Sequence, residues 1–216
     1  MFNIDTYNKI SQKIENFGKK TKIIAISKNH PKKAVEIAIS HGVMIFGENR
    51  VQEAQAKFKD LKKNHQSLEL HLTGSLQSNK AKDAVNLFDV FHTLDREKLA
   101  KELFKVGGLE NKKFFIQVNT GKEKTKSGIY PEELNQFVNY CKIDLSLNII
   151  GLMCIPPIND DPKKNFSLLA ENAKKNNLPH LSMGMSADYM DAIELNASYI
   201  RIGTALFGER KKWKLK

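Results

Sequence analysis

The sequence has few cysteines and no long apolar run. Its two cysteines, Cys141 and Cys154, are too few and too isolated for a disulfide framework or a cysteine-rich metal site. No uncharged stretch is long enough to cross a bilayer, and the residues after Met1 lack the basic and then apolar pattern of a signal peptide. We therefore expect a cytoplasmic protein that is neither exported nor inserted into a membrane.

Arginine is also scarce, although the formal net charge is +11. Of the 35 basic residues only four are arginines, and the lysines are spread almost evenly along the sequence. Such a distribution is typical of a solvated surface and not of a basic stripe with interleaved aromatic residues. We expect weak binding of polyanions at low salt and no specific nucleic-acid partner.

A length of 216 residues is sufficient for one sizeable domain, which we assign to residues 1–216. Residues 1–20 are predicted to form a leading helix, because apolar side chains recur there at spacings of three and four. These residues are Ile4, Tyr7, Ile10, Ile14 and Phe17. The basic segment 211–216 is predicted to be a frayed or surface-lying tail.

From Lys22 onward, short apolar runs alternate with helical patterns. Strands are predicted at 23–27, 43–46, 68–73, 89–93, 113–119, 148–153, 178–182 and 198–202. Helix starts are predicted at Pro31, Asn49, Ser78, Asp95 and Pro131. Regular alternation indicates parallel pairing, and eight units favour a single (β/α)8 TIM barrel with an extra N-terminal helix over an open doubly wound sheet.

Lys28 is the most informative residue under this interpretation. It ends the first predicted strand, and ligands of such barrels bind at the carboxyl ends of the strands. Apolar strand neighbours and a nearby cation such as Arg201 would favour the neutral amine, which can attack an aldehyde. The position predicts a Schiff-base lysine; the alternative is a lysine that only reaches solvent.

The loops after the last two strands carry the features of a phosphate site. Ser186 follows strand seven, while Gly203 and Thr204 follow strand eight and open the final short helix. Hydroxyl groups and the bare amides of a helix start can donate to phosphate oxygens. Ordinary turn glycines are the alternative for Gly184, Gly203 and Gly208.

Arg201 lies between Ile200 and Ile202, so it shares the opposite strand face with Tyr199. A guanidinium inside a barrel needs an acceptor. One candidate acceptor is a glutamate in a buried ion pair. The other is a pyridine nitrogen, which would stay unprotonated because arginine cannot give up its proton.

Asn49 and His71 each have two interpretations. Asn49 either caps the helix that follows it or contacts the edge of a cofactor. His71 shares a strand face with Glu69 and Thr73, and is either a hydrogen-bonded core residue or a contact to a cofactor ring. The remaining histidines show no metal-ligand spacing, so we expect no metal site.

Several stretches, in order across nearly the whole sequence, resemble the pyridoxal phosphate homeostasis protein family. The matching stretches are 25–28, 46–49, 51–53, 71–74, 76–80, 117–119, 126–128, 151–153, 181–186 and 201–208. This family is similar in fold to the N-terminal barrel of alanine racemase, a fold type III barrel. Arg50, Thr73 and Cys154 depart from the family pattern, but none of these departures removes a proposed cofactor contact.

The resemblance implies pyridoxal 5'-phosphate (PLP) as cofactor. It implies that Lys28 carries PLP as a Schiff base, that Ser186, Gly203 and Thr204 hold the phosphate, and that Arg201 faces the ring nitrogen. It also implies a role in vitamin B6 homeostasis with no established catalytic reaction.

An enzyme is the alternative function, a small PLP-dependent amino-acid racemase or lyase. Racemases built on this barrel add a β domain, for which we expect no room in 216 residues. We further expect PLP-dependent apo-enzymes among the partners, and a monomer.

Overall fold

The computed structural model describes residues 2–209, so the predicted tail at 211–216 lies outside the described residues. Within that range the protein forms a closed barrel in which each strand pairs in parallel with its sequence neighbours and the last strand pairs with the first. This confirms the predicted (β/α)8 barrel.

The strands follow the predicted runs, with ends that shift by up to two residues. They are β1 (Lys22–Ile26), β2 (Ile45–Glu48), β3 (Glu69–Leu72), β4 (Val90–Leu94), β5 (Lys113–Val118), β6 (Ile149–Cys154), β7 (His180–Ser182) and β8 (Tyr199–Ile202).

The helices surround this barrel, and the first of them is the predicted leading helix. They are α1 (Ile4–Asn16), α2 (Lys32–Ser40), α3 (Val51–Asn64), α4 (Ala81–Val85), α5 (Glu97–Val106), α6 (Leu134–Asn139), α7 (Pro162–Lys175), α8 (Tyr189–Glu194) and α9 (Thr204–Phe207).

The apolar core has two layers, because successive strand residues point to opposite faces. The larger layer lies between the barrel and its helices and includes Ile200 and Ile202. The smaller layer fills the barrel interior and includes Ile24, Phe115 and Tyr199. Tyr199 therefore points inward, and Ile200 and Ile202 point outward, as the alternation along β8 predicts.

Several helix starts differ from the sequence prediction. Ser78 begins a short 3-10 turn that precedes α4, and Asp95 lies one residue before the N-cap of α5, where its carboxylate contacts Arg96. Pro131 lies in a turn, and α6 begins only at Leu134. Each of these residues does lie between a strand and the following helix, but the connection continues beyond it.

Within residues 2–209, no helix is both long enough and apolar enough to span a bilayer. Both cysteines are buried and form no disulfide, in agreement with their apolar sequence neighbours.

Candidate functional site

A cavity of about 290 Å³ opens at the carboxyl ends of the strands. It brings together six of the seven predicted cofactor residues, which come from the loops after β1, β2, β7 and β8 and from β8 itself. These six are Lys28, Asn49, Ser186, Arg201, Gly203 and Thr204. His71 is not among the lining residues. The cavity therefore assembles from residues far apart in sequence at the end of the barrel where ligands bind.

Lys28 is half-buried at the cavity wall, beside the apolar residues Ile26 and Ile155. Its loop is fixed by the next residue, Asn29, which adopts a left-handed φ of 62° and donates its backbone N–H to Glu53 Oε1 at 2.5 Å. Asparagine tolerates this conformation better than most residues. The loop conformation thus holds the lysine at the rim by backbone geometry.

Arg201 is buried, and its guanidinium donates to two oxygens of the barrel interior. Nη1 donates to Ser182 Oγ at 2.7 Å, and Nη2 donates to the Cys154 carbonyl at 2.8 Å. Burial raises the pKa of the Cys154 thiol to about 12, so that thiol provides no negative charge. The acceptors of Arg201 are thus a hydroxyl and a carbonyl, and no ion pair with a carboxylate of residues 2–209 is found, so of its two interpretations the buried glutamate pair is wrong.

A series of hydrogen bonds continues from Arg201 through the barrel interior. Ser182 Oγ lies 2.9 Å from His92 Nδ1, and His92 Nε2 lies 2.7 Å from His71 Nδ1. His71 Nε2 then lies 2.8 Å from Glu69 Oε1 at the start of β3. We call Glu69, His71, His92, Ser182 and Arg201 the interior relay. It runs from the cavity to the opposite mouth of the barrel.

The chemistry of its two ends fixes every hydrogen in the interior relay. Arg201 can only donate, so Ser182 accepts from it and gives its single hydrogen to Nδ1 of His92. A neutral His92 then carries its proton on Nε2 and donates to His71. His71 in turn donates from Nε2 to Glu69, which as a carboxylate can only accept. Both ends lead to the same pattern of tautomers.

The charges of the interior relay agree with this pattern. The hydrogen bond from His71 lowers the pKa of Glu69 to about 2, so its carboxylate is ionised near neutral pH. Burial lowers the pKa of His71, and burial together with the nearby His71 and Arg201 lowers the pKa of His92 well below its usual value. Both imidazoles are therefore neutral, and the positive and negative charges lie at opposite ends.

Glycine shapes the loop on the β7 side of the cavity, which contains one of the predicted phosphate residues. Gly184 has a left-handed φ of 88°, and a Cβ there would lie 2.5 Å from the Ala192 Cβ, so only glycine fits without strain. The backbone carbonyl of Gly184 accepts from the Arg201 N–H at 2.9 Å, which ties this loop to β8. Ser186 is exposed at the cavity mouth, where its hydroxyl is accessible.

On the β8 side, Gly203 occupies the N-cap position of α9 and Thr204 begins it. The first amides of a helix have no acceptor within the helix. The Thr204 hydroxyl and these amides therefore lie where an anionic group at the cavity mouth could accept from them.

Asn49 lies on the cavity wall and does not cap α3. The N-cap residue of α3 is Arg50, which makes no capping hydrogen bond through its guanidinium. The Asn49 Oδ1 atom instead accepts from Thr73 Oγ1 at 3.0 Å. Gly74 permits this packing, because a Cβ there would fall 2.4 Å from the Asn49 carbonyl oxygen. Of the two interpretations of Asn49, the helix cap is wrong.

His71 has no exposed surface, and both of its ring nitrogens are occupied within the interior relay. The structure thus places it beneath the cavity in the core environment that was one of its two interpretations. His92 and Ser182 were not predicted as members of the site. The sequence did contain a signal for His92, because it lies two residues after Val90 on β4 and so points into the barrel as Val90 does.

A family model and curated relatives both match most of this chain. The sequence model described as the N-terminal domain of alanine racemase matches residues 5–211. The pyridoxal phosphate homeostasis protein of Aquifex aeolicus (strain VF5) is 40% identical over 201 residues, which covers 88% of this chain and 87% of the relative. That of Vibrio cholerae serotype O1 is 40% identical over 200 residues, covering 87% and 85%.

The chain belongs to the pyridoxal phosphate homeostasis protein family.

Solved structures extend the comparison. PipY of Synechococcus elongatus PCC7942, solved with PLP bound, is 36% identical with a TM-score of 0.77, covering 88% of this chain and 93% of that one. Alanine racemase of Corynebacterium glutamicum has a TM-score of 0.73 at 16% identity, covering all of this chain and 64% of that one. At that identity, the racemase shows a shared fold only.

A second buried polar group lies behind the site in this family member, between β1, β2 and α3. Lys57 Nζ lies 2.6 Å from Glu48 Oε1 and 2.8 Å from Glu53 Oε1, and it donates to the Ser27 carbonyl at 2.7 Å. Ser27 Oγ also donates to Glu48 Oε1 at 2.7 Å. We call Ser27, Glu48, Glu53 and Lys57 the outer cluster. Through Glu53 and Asn29, it anchors the loop that carries Lys28.

The outer cluster is unbalanced in charge and in hydrogen bonds. It buries two carboxylates against one ammonium group, and Glu48 Oε2 has no partner among residues 2–209. Burial raises the pKa of Glu48 to about 7, while Lys57 acts in the opposite direction. The sequence pattern did not predict this cluster, because helical periodicity marks only the apolar residues of α3 as buried.

Proposed function

We propose that this chain binds PLP and acts in intracellular PLP homeostasis, with Lys28 as the residue that forms the Schiff base. The observation that carries the proposal is the convergence of Lys28, Arg201 and the Ser186 and Thr204 loops on one cavity. The chain belongs to a family named for PLP homeostasis, and its relative PipY binds PLP in a solved structure.

The groups around the cavity fit this cofactor. A primary amine can react with the aldehyde, hydroxyls and helix-start amides can hold the phosphate, and a guanidinium can donate to the ring nitrogen. The Arg201 donors are directed by fixed acceptors, Ser182 and the Cys154 carbonyl, and not by a competing carboxylate of residues 2–209. The volume of about 290 Å³ lies at the lower end of small-molecule sites.

Carriage of PLP without catalytic turnover is the function that the site supports best. Bound PLP stabilises carbanions most strongly when its ring nitrogen is protonated, and Arg201 cannot provide that proton. The relatives are named as homeostasis proteins and not as racemases. The residues around the cavity therefore have binding roles, and none of them is assigned a catalytic one.

The setting of the cavity supports delivery to other proteins. Ile155 and Met185 line its mouth and are exposed, at 46% and 36% respectively, so a bound cofactor would face the solvent side. We propose PLP-dependent apo-enzymes as recipients, a monomer as the working form, and the cytoplasm as the location.

Lys28→Ala tests the covalent site directly. We expect purified wild-type protein incubated with PLP to show a visible absorption band that borohydride abolishes, with the reduced adduct mapped by mass spectrometry to residue 28. The variant should lose the band and the adduct while circular dichroism shows a folded barrel, because Lys28 is the only lysine of residues 2–209 that lines this cavity. Lys33→Ala, an exposed lysine on the neighbouring helix α2, is the matched control.

An adduct of unchanged yield in Lys28→Ala would place the Schiff base at another lysine. A panel of L-amino acids in deuterated water tests the enzyme alternative. Sustained exchange of the α-proton or accumulation of D-isomers by the PLP-loaded protein would contradict the carrier function.

A further inference from the structure

A second cavity, of about 410 Å³, opens at the opposite end of the barrel, where the strands begin. Its walls come from the loop between α1 and β1, from the starts of β1, β5 and β7, and from the loop before β8. Its polar lining includes Lys19, Lys20, Lys22, Lys113, His180 and Asn196. Ligands of this fold normally bind at the other end, so this cavity is separate from the candidate PLP site.

The barrel interior separates the two cavities physically. Ile24, Val90, Phe115 and Met153 fill the space between them and are fully buried. The floor of the second cavity includes the ring of Tyr199, with Lys22 Nζ 5.9 Å from its centre. A ligand at this end therefore meets a closed floor and cannot reach the first cavity through the barrel.

Positive charge is concentrated at this second cavity. Four lysines line it, and none of the described lining residues is acidic. The carboxylate of Glu69 lies just beyond the lining, 3.3 Å from Lys113 Nζ, and is already the acceptor that ends the interior relay. Like charges gathered in a concave site repel one another and attract anions from solution.

Neutral donors accompany these charges. Burial and the nearby charges of Lys113 and Lys22 lower the pKa of His180, so its imidazole is neutral and has an N–H to donate. Asn196 accepts from Lys19 Nζ at 2.5 Å through its Oδ1 atom, which directs its NH₂ group away from that contact. The cavity thus combines point charges with hydrogen-bond donors.

The type of cationic side chain in the lining indicates which class of anion the cavity suits. Lysine binds as a point charge and suits the tetrahedral phosphate group, whereas planar carboxylate recognition favours the fork of arginine, which is absent from the described lining. We infer that the amino-terminal mouth of the barrel is a second binding site, for a small multivalent phosphate. This inference does not depend on the proposed PLP function.

Inorganic pyrophosphate is the probe, added to PLP-loaded protein so that the first site is already occupied. The imidazole C–H signals of His180 in the NMR spectrum report on the second site alone. We expect saturable shifts of these signals, and a rise in the pKa of His180 when pyrophosphate is bound, because a nearby negative charge favours the imidazolium.

Two matched double variants separate this site from general attraction to a basic surface. Lys22→Gln with Lys113→Gln removes two charges from the cavity, and Lys98→Gln with Lys105→Gln removes two exposed charges from α5. We expect the first pair to weaken pyrophosphate binding about tenfold or more, and the second to change it by less than about twofold. Lys22→Gln alone, which leaves the Lys113 contact to Glu69 intact, should show part of the loss.

Equal weakening by both double variants would overturn the inference, since only the overall charge would then matter. Saturation without any shift of the His180 signals, or no binding of pyrophosphate near physiological ionic strength, would overturn it as well. Failure of PLP to bind would leave these outcomes unchanged, because the His180 signals do not depend on the first site.

Discussion

This barrel has two buried polar groups, the interior relay and the outer cluster, and they compensate their buried charges in different ways. In the interior relay, Arg201 at one end and Glu69 at the other determine which atom donates and which accepts in each hydrogen bond. The charges of Arg201 and Glu69 lie at opposite ends of the relay. In the outer cluster, two carboxylates share one ammonium group and one carboxylate oxygen has no partner among the described residues.

The difference lies in how each group responds to protons. Lowered histidine pKa values keep the interior relay neutral between its ends, so the folded protein does not gain or lose a proton there near neutral pH. The raised pKa of Glu48 means that the outer cluster gains or loses a proton near neutral pH. The cavity is therefore supported on one side by a fixed arrangement, and on the Lys28 side by one that titrates.

Lys57→Met should have the largest effect, because it leaves two buried carboxylates without their shared cation. We expect the free energy of unfolding to fall by about 3–5 kcal/mol at pH 8, measured by urea denaturation. The loss should be smaller at pH 5, where Glu48 takes up a proton. Lys59→Met, an exposed lysine on the same helix, is the control. A loss below about 1 kcal/mol would show that the outer cluster relaxes or admits water.

His92→Leu should have the next largest effect, because it breaks the interior relay at its centre. Ser182 loses its acceptor and His71 loses its donor, so we expect a loss of about 2–3 kcal/mol in urea denaturation. His41→Leu, an exposed histidine after α2, should change stability by less than about 0.5 kcal/mol.

Nitrogen NMR checks the cause of that loss. In wild-type protein, His71 and His92 should both carry their proton on Nε2. In His92→Leu, His71 should keep its proton on Nε2, because the Glu69 carboxylate can only accept, but the signal of His71 Nδ1 should shift because that atom loses its donor. PLP should be retained less tightly, because Ser182 is no longer held in place as an acceptor for Arg201. An unchanged His71 spectrum in the variant would contradict the directional relay.

Glu48→Gln should have the smallest effect at pH 5, because both side chains are largely neutral there in the folded protein, and it should mainly change the pH dependence of stability. The folded pKa of Glu48, about 7, exceeds the ordinary value of 4.5, so the folded state holds its proton longer and stability falls as pH rises from 4.5 to 7. The free energy of unfolding of the variant should not fall in this pH range. Its difference from wild type should therefore grow by on the order of 1 kcal/mol per pH unit between pH 4.5 and 7.

The same titration should reveal the interior relay in the variant. Its histidines have lowered pKa values, so their contribution is complete above pH 6.5 and is lost as pH falls below it. Glu36→Gln, an exposed carboxylate on α2, should follow wild type. Parallel pH curves for wild type and Glu48→Gln would contradict the assignment of the titrating group.

The barrel itself could be predicted from sequence because its parallel strands are buried on both faces. Such strands appear as short apolar runs, and helical periodicity between them marks the crossovers. Lys28 could be placed at the cavity since the end of β1 is also the mouth of the barrel. The phosphate-site prediction rested on the loops after the last two strands, which lie at the same mouth of the barrel and contain Ser186, Gly203 and Thr204.

The remaining polar contacts could not be predicted, because they depend on register between strands. Whether His71 meets His92 or a ligand depends on which residues of β3 and β4 are neighbours, and the sequence of one strand does not contain that information. Arg201 likewise finds Ser182 across a neighbouring strand. The predicted helix starts were wrong for a simpler reason. A residue type that often caps helices can also lie within a loop, several residues before the helix begins.

A row of donors that all point one way cannot be altered one member at a time. Replacing either imidazole by a hydrocarbon leaves the groups on both sides without a hydrogen-bond partner. Replacing the whole row by well-packed apolar residues would leave no polar group that needs one. Natural variation along β3, β4 and β7 should therefore appear as coordinated sets of changes, with histidines gained or lost together.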